Sequence, residues 1–238
     1  MPRAFPDPAP RAPRPVPSLT AAKRDAAERA MEHVRSGMTL GLGTGSTAAL
    51  VVEAIGRRLA DKELRDIVGV ATSRRTAELA GVVGIRLTSL DDVGSVDLTI
   101  DGADEVDPQG NLIKGHGGAL LWEKIVAAHS RKYVIVVDAS KLVARLGERH
   151  AVPVEVVPFG WRTHVEAVRA LRGEATLRTE SSEPIRTDSG HYILDCRFDG
   201  GIADPQDLER RLRARPGVVE TGLFLDMHPV VIVGRPGA

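Results

Sequence analysis

Four short stretches of this chain bring together residue types that do chemistry. The first is Gly41-Leu42-Gly43-Thr44-Gly45-Ser46-Thr47. Glycines let the backbone turn sharply and approach a ligand, and a helix beginning directly after them presents unpaired N–H groups and the positive end of its dipole. Ser46 and Thr47 add hydroxyl donors, so the stretch reads as a phosphate cradle; a tight turn into a capped helix is the plainer alternative. Gly43-x-Gly45-x-x-Ala48 also fits the dinucleotide fingerprint. The strand that follows ends Ala71-Thr72-Ser73-Arg74-Arg75, with no acid for a ribose 2′-hydroxyl. That argues against NAD and leaves NADP open.

The second stretch, Asp101-Gly102-Ala103-Asp104-Glu105, sets three acids in five residues after an apolar run. Carboxylates crowded at the carboxyl end of a strand shift one another's proton affinity, which suits acid–base work. An acidic turn capping the next element fits as well, while magnesium lacks further acids at suitable spacing. The third stretch runs from Asn111 through Lys114-Gly115-His116-Gly117-Gly118 to Trp122-Glu123-Lys124. Its glycines offer a second place to meet an anion or oxyanion. Glu123 shares a helical face with Leu120 and Ala127. It is therefore either a snorkelling surface residue or a desolvated carboxylate with a raised pKa. His116 reads as a loop residue bonded to backbone or solvent, with ligand or proton carrier as the sharper alternative. The fourth, Val136-Val137-Asp138-Ala139-Ser140-Lys141, leads from a strand end into a loop where Lys141 can meet a phosphate and Ser140 can cap a helix. Only six of the 32 basic residues are lysines, so arginine is the default cation and a compact ammonium at 114 and 141 is a chemical choice.

Strands and helices must alternate to hold these stretches. Helical spacing covers residues 20–35, ending at Ser36-Gly37, then 46–59 capped by Ser46 or Thr47, 74–81 and 118–130. Short apolar runs at 38–42, 67–71, 85–87, 96–100 and 133–137 do not alternate, as strands covered on both faces do not. Residues 19–150 are thus expected to form a doubly wound, mostly parallel α/β sheet of Rossmann-like kind. After Pro153 the pattern becomes strand 154–157, helix 164–171, strand 193–198, helix 204–214 opening on Asp204-Pro205, and strand 218–224. This predicts a second, smaller α+β domain of ferredoxin-like type over 151–226, with 227–238 returning to the first sheet.

Composition sets the bounds. The 238 residues carry 32 basic and 32 acidic side chains and 3% aromatics, which excludes a basic or ring-rich nucleic-acid surface. No apolar run reaches the roughly 18 residues of a transmembrane helix, and residues 1–18 lack the apolar core of a signal peptide. Those 18 residues hold seven of the 15 prolines and read as a disordered tail. A single cysteine, Cys196, fits a reducing cytoplasm, and the seven histidines show no metal-ligand spacing, so no metal is expected.

A phosphate cradle, paired carboxylates, a lysine–glycine loop with a glutamate and a further lysine suit proton transfer beside a carbonyl on a phosphorylated substrate. The chain resembles the type A ribose-5-phosphate isomerase family. The resemblance rests on GLGTGSTA, DLTIDGADEVDPQGNLIKGHGGALLWEKIVA, VVDASKLV and VPVEVVPFG within residues 38–160, and on PGVVETGLF near the end. It departs at His116, where some relatives carry glycine, in the proline-rich tail, and in the looser match over 161–220.

The resemblance implies interconversion of ribose 5-phosphate and ribulose 5-phosphate through an enediolate, without cofactor or metal. Glu123 matches the general base, Asp101 and Asp104 the carboxylates that handle hydroxyl protons, and Lys114 the cation near the developing oxyanion. Thr44, Gly45, Ser46, Thr47, Gly102, Ala103, Gly115, His116, Gly117 and Lys141 are then expected to line the substrate, with Lys23 reaching the phosphate. The family further implies that the small domain acts as a lid and that the chain forms a homodimer or dimer of dimers. A sugar-phosphate sensor on the same fold would normally carry a DNA-binding module, and none is visible in the sequence.

Overall fold

The computed structural model describes residues 19–235. The tail expected over 1–18 and the last three residues lie outside the described residues.

The first half is built of α1 (Leu19–Ala30), β1 (Thr39–Leu42), α2 (Ser46–Ala60), β2 (Val68–Ala71), α3 (Arg74–Val82), β3 (Arg86–Leu87), β4 (Leu98–Asp101), β5 (Glu105–Val106), β6 (Leu112–Ile113), α4 (Leu120–Ala128) and β7 (Tyr133–Asp138). The second half adds β8 (Val152–Val156), α5 (Arg162–Ala170), β9 (Gly173–Leu177), β10 (Thr179–Glu180), β11 (Glu183–Pro184), β12 (Tyr192–Phe198), α6 (Pro205–Arg213), β13 (Val218–Thr221), β14 (Leu223–Phe224) and β15 (Val230–Gly234).

The central sheet has the order β15-β7-β4-β1-β2-β3, and every pairing in it is parallel. All six residues of β7 are buried, as a strand covered on both faces requires. One face packs α1, α2 and α3 through Ala26, Ala30, Val51, Ile55 and Ala80. The other packs α4 and the small sheet β14-β6-β5 through Leu120, Ala127, Leu112 and Phe224. This is the expected doubly wound α/β architecture. From β1 the chain runs outward to β2 and β3, then crosses back to β4 on the opposite side of β1. The carboxyl ends of β1 and β4 therefore flank the switch point where open α/β sheets bind ligands.

The smaller sheet has the order β13-β8-β12-β9, antiparallel throughout, with α5 and α6 as its helices. In chain order its strands run fourth, first, third, second, the ferredoxin-like arrangement. Asp204 caps α6 by accepting from the Asp207 amide, with Pro205 at the first helical position, as read from the sequence.

Several boundaries differ from expectation. The first helix tightens into a 3-10 turn at Met31–His33 instead of running to 35. α4 starts at Leu120 because Gly118 takes φ +81°, which closes the preceding turn. The strand expected over 218–224 is two strands that serve different sheets. At Gly222 a Cβ would stand 2.2 Å from the Lys114 carbonyl oxygen and 2.8 Å from Pro153 Cδ, so only glycine passes. Strands β5, β6, β9, β10 and β11 were not among the predicted elements; four of these five are two residues long, too short for a pattern to form. Among the described residues no helix is long and apolar enough to cross a membrane.

Candidate active site

The turn after β1 is glycine-rich because it is crowded. A Cβ on Gly41 would lie 1.8 Å from Thr99 Oγ1, and one on Gly43 would lie 2.3 Å from Asp101 Oδ1, so β1 is drawn against β4. Gly45, at φ +112°, is the N-cap of α2, and no side chain caps that helix. Ser46 and Thr47, expected as caps, are instead the first residues of the helix, leaving its end amides to face the cleft. Lys23, on α1, donates to Ser46 Oγ at 2.9 Å. Thr44 turns its hydroxyl the other way, into a cluster with Thr72, Ser73 and Thr76 at 2.8–3.1 Å. Thr44 therefore offers the cleft backbone, not a hydroxyl.

The three acids after β4 part company. Asp101, wholly buried, accepts from the Thr44 amide at 3.1 Å and the Gly102 amide at 2.7 Å. Asp104 faces the cleft and accepts from the His116 amide at 3.1 Å. Glu105 points away and takes three backbone donors, Gly147 at 2.6 Å, Arg149 at 2.7 Å and His150 at 2.6 Å. It anchors the segment that follows Lys141 and has no place in the cleft.

Lys114 sits among them. Its ammonium donates to the Gly102 carbonyl at 2.6 Å and pairs with Asp101 Oδ2 at 3.0 Å and Glu123 Oε2 at 3.3 Å. Lys114 is 2% exposed and Glu123 4%. The surface alternative for Glu123 is thus set aside. Leu120 and Ala127, its partners by helical spacing, are buried with it. Burial lowers the proton affinity of Lys114, but the charges of Asp101 and Glu123 overcome this and hold it well above the usual lysine value. Burial pushes the Glu123 carboxyl up to about 8; Lys114 opposes that shift, while Asp101 and Asp104 reinforce it. Asp101 is raised by burial as well, against the pull of Lys114. Two buried acids thus share one cation, and Glu123 is the one open to the cleft.

These groups converge on a cavity of about 130 Å³. Lys23 and the first turn, Thr44, Gly45, Ser46 and Thr47, line it together with Gly102, Ala103, Asp104, Lys114, Gly115, Gly117, Glu123 and Lys141. Two expected residues stand back. Asp101 lies behind the Lys114 ammonium, and the His116 ring packs edge-on against His150 with centroids 5.0 Å apart. Lys141 ends a 3-10 turn capped by Asp138, which accepts from the Ser140 amide, so Ser140 is not itself the cap. Arg74, which kept NADP open, is held through its amide and guanidinium by Asp188.

Sequence reasoning missed four participants. Val137 lines the cavity one residue before Asp138, a strand-end position that could have been flagged. Tyr133 is buried, and its hydroxyl has no hydrogen-bond partner among the described residues. Gly222 accepts from the Lys114 amide at 2.9 Å and donates to the Pro153 carbonyl at 2.7 Å, tying the lysine to the smaller sheet. Arg178 bonds the Gly115 and His116 carbonyls. Gly222 and Arg178 act through contacts distant in sequence and leave no local signal.

The arrangement has an uncapped helix N-terminus, a buried carboxyl with a proton affinity near neutrality and an ammonium fixed beside it. It can anchor a phosphorylated substrate, move a proton on carbon and meet the oxyanion that results.

Comparison with known proteins gives this geometry a lineage. Residues 68–237 match the family model of ribose 5-phosphate isomerase A (phosphoriboisomerase A). A ribose-5-phosphate isomerase A from Roseiflexus castenholzii is 52% identical over 215 residues, covering 90% of this chain and 92% of the relative. A solved D-ribose-5-phosphate isomerase in complex with phospho-erythronic acid superposes with TM-score 0.89 at 41% identity, covering 91% of this chain and 95% of that one. The ribose 5-phosphate isomerase A of Methanocaldococcus jannaschii gives 0.86 at 40% identity, with 92% and 96% covered. With the family model spanning well over half of its residues and relatives matching across nine-tenths of its length, this chain belongs to the ribose 5-phosphate isomerase A family.

Proposed function

We propose that this protein interconverts D-ribose 5-phosphate and D-ribulose 5-phosphate by proton transfer through an enediolate, with Glu123 as the base. The observation that carries the proposal is a buried carboxyl at the cavity wall, 3.3 Å from a buried ammonium, in the same cavity as an uncapped helix N-terminus. The α2 amides, Ser46, Thr47 and Lys23 take the phosphate, and Lys141 holds the substrate from the side. Glu123 removes the proton from C2 of the open-chain aldose, and the electron pair moves through C1 onto O1, facing Lys114. After a proton passes from O2 to O1, Glu123 returns its proton to C1 and the carbonyl stands at C2. One carboxyl serves as base and then acid, which a proton affinity near the working pH allows.

Asp104, at the wall, is in reach of the sugar hydroxyls and of ring opening; Asp101 joins that traffic through the ammonium it shares. A relative's complex with phospho-erythronic acid fits this reading. A phosphorylated polyhydroxy acid offers the phosphate and hydroxyls of the sugar together with a planar anionic carboxylate resembling an enediolate. The proposal extends to the segment 151–226 as a lid, to a homodimer or dimer of dimers, and to a cytoplasmic setting consistent with the lone buried thiol of Cys196. The test is direct: ribose 5-phosphate is supplied with a chelator and ribulose 5-phosphate is measured. Turnover in the wild type, lost in Glu123→Gln, supports the reading; no turnover in the wild type overturns it.

A further inference from the structure

We infer that Arg178, the residue directly after β9, is the positioning residue that aims the Gly117 amide into the cavity as an oxyanion donor; the inference rests on the proposed isomerisation. Arg178 Nε donates to Asp195 Oδ2 at 2.8 Å, and Nη2 pairs with Asp195 Oδ1. That grip leaves Nη1, which donates to the Gly115 carbonyl at 2.8 Å and the His116 carbonyl at 3.1 Å. The guanidinium is a planar fork, so holding Asp195 along one side fixes where the remaining nitrogen points.

Two successive carbonyls converge on that nitrogen. In a trans peptide the N–H points opposite to the C=O of the same plane. The first plane obeys this visibly: the Gly115 carbonyl meets Arg178, and the His116 amide on its far side donates to Asp104 at 3.1 Å. In the second plane the His116 carbonyl meets Arg178, so the Gly117 amide points away from the smaller sheet. Gly117 lines the cavity, and its amide has no protein partner among the described residues. The turn tolerates this only with Gly115 at φ +106°, where a Cβ would also strike Leu120 at 2.8 Å. The Gly117 amide and the Lys114 ammonium thus face one cavity, where negative charge collects on O1 in the proposed reaction. The aim of that amide is set by a residue some 60 positions further along the chain.

The experiment compares Arg178→Ala, Arg178→Lys and Asp195→Asn with the wild type on ribose 5-phosphate, recording kcat, KM and the pH profile. Misaiming one donor should lower kcat of Arg178→Ala by about 10²-fold, with KM within about threefold and the acid limb of the profile unmoved, because the base is untouched. Added guanidinium at sub-denaturing concentration should restore part of that kcat and leave Glu123→Gln unaffected. Arg178→Lys should also be slow, since one ammonium cannot span Asp195 and two carbonyls. Asp195→Asn, which keeps the cation and loosens its fork, should fall between, and these two variants carry the test if Arg178→Ala does not fold. A kcat within twofold of wild type, a loss confined to KM, or a shifted acid limb would overturn the inference. Wild-type turnover matched by Arg178→Ala removes the clamp and leaves the isomerase reading standing; a wild type without turnover removes both.

Discussion

The Lys114 ammonium lies 3.3 Å from Glu123 Oε2, with both side chains closed off from bulk water. Asp101 claims the same ammonium at 3.0 Å, so Glu123 has a cation beside it without owning it. In the proposed reaction, this division of one positive charge between two buried acids is what would let Glu123 take and return a proton near neutral pH.

Replacing Glu123 with Gln keeps the shape and removes the proposed base. The kcat of Glu123→Gln is expected to fall about 10²–10⁴-fold with little change in KM, the scale of a lost general base. Steady-state kinetics check it, and near wild-type turnover would strip Glu123 of its role.

The pH dependence follows from the carboxyl held at about 8. The base must be ionised in the free enzyme, so kcat/KM is expected to rise with pH and level off above that value. The same residue acts oppositely on stability. Its folded pKa exceeds the ordinary 4.5, so its contribution to stability is full below 4.5 and is lost as pH rises through 8. Glu123→Gln should therefore gain melting temperature over wild type as pH goes from 5 to 9, by about 2–4 °C per kcal/mol relieved. A melting difference that does not change with pH would contradict this.

Lys114→Met leaves two buried carboxylates without their cation. A destabilisation of about 3–5 kcal/mol is expected at pH 8, shrinking at pH 5, where protonation neutralises the acids. Denaturant melts at the two pH values read the difference. Turnover should fall with it by about 10²–10³-fold, the scale of losing one oxyanion-stabilising group.

Glu105→Gln tests an acid that sits beside the site without joining it. A glutamine must turn its NH₂ toward one of the three amides that Glu105 now accepts, costing about 1–3 kcal/mol. The loosened segment reaches back to the turn of Lys141 through Arg149, which donates to the Ser140 carbonyl at 2.7 Å, so KM for ribose 5-phosphate should rise severalfold while kcat stays within about threefold. A selective loss of kcat would return Glu105 to the chemistry.

Much of the site was legible in the chain because its signals are local. Glycines 41, 43 and 45 announce a strand-to-helix turn, and helical spacing puts Glu123 on the face of Leu120 and Ala127, which is the buried face. The three acids at 101, 104 and 105 look alike in sequence. Only packing separates the one beneath the ammonium, the one at the cavity wall and the one bonded to Gly147, Arg149 and His150. Residues 218–224 read as one strand because Val218-Val219 and Leu223-Phe224 are strand-forming pairs separated by only three residues. The change of sheet at Gly222 is decided by how closely the backbones of Lys114 and Pro153 pass.

By itself the sequence determined the strand–helix alternation, the two glycine turns and the helical face that Glu123 shares with Leu120 and Ala127, since periodicity and backbone freedom are properties of neighbouring residues. Tertiary structure alone decided which acid shares Lys114, which hydroxyl of the first turn looks inward, and that Arg178 holds the second turn. Those outcomes depend on charges and carbonyls brought together from distant parts of the chain. The energy of a buried ion or amide is set by what surrounds it in space.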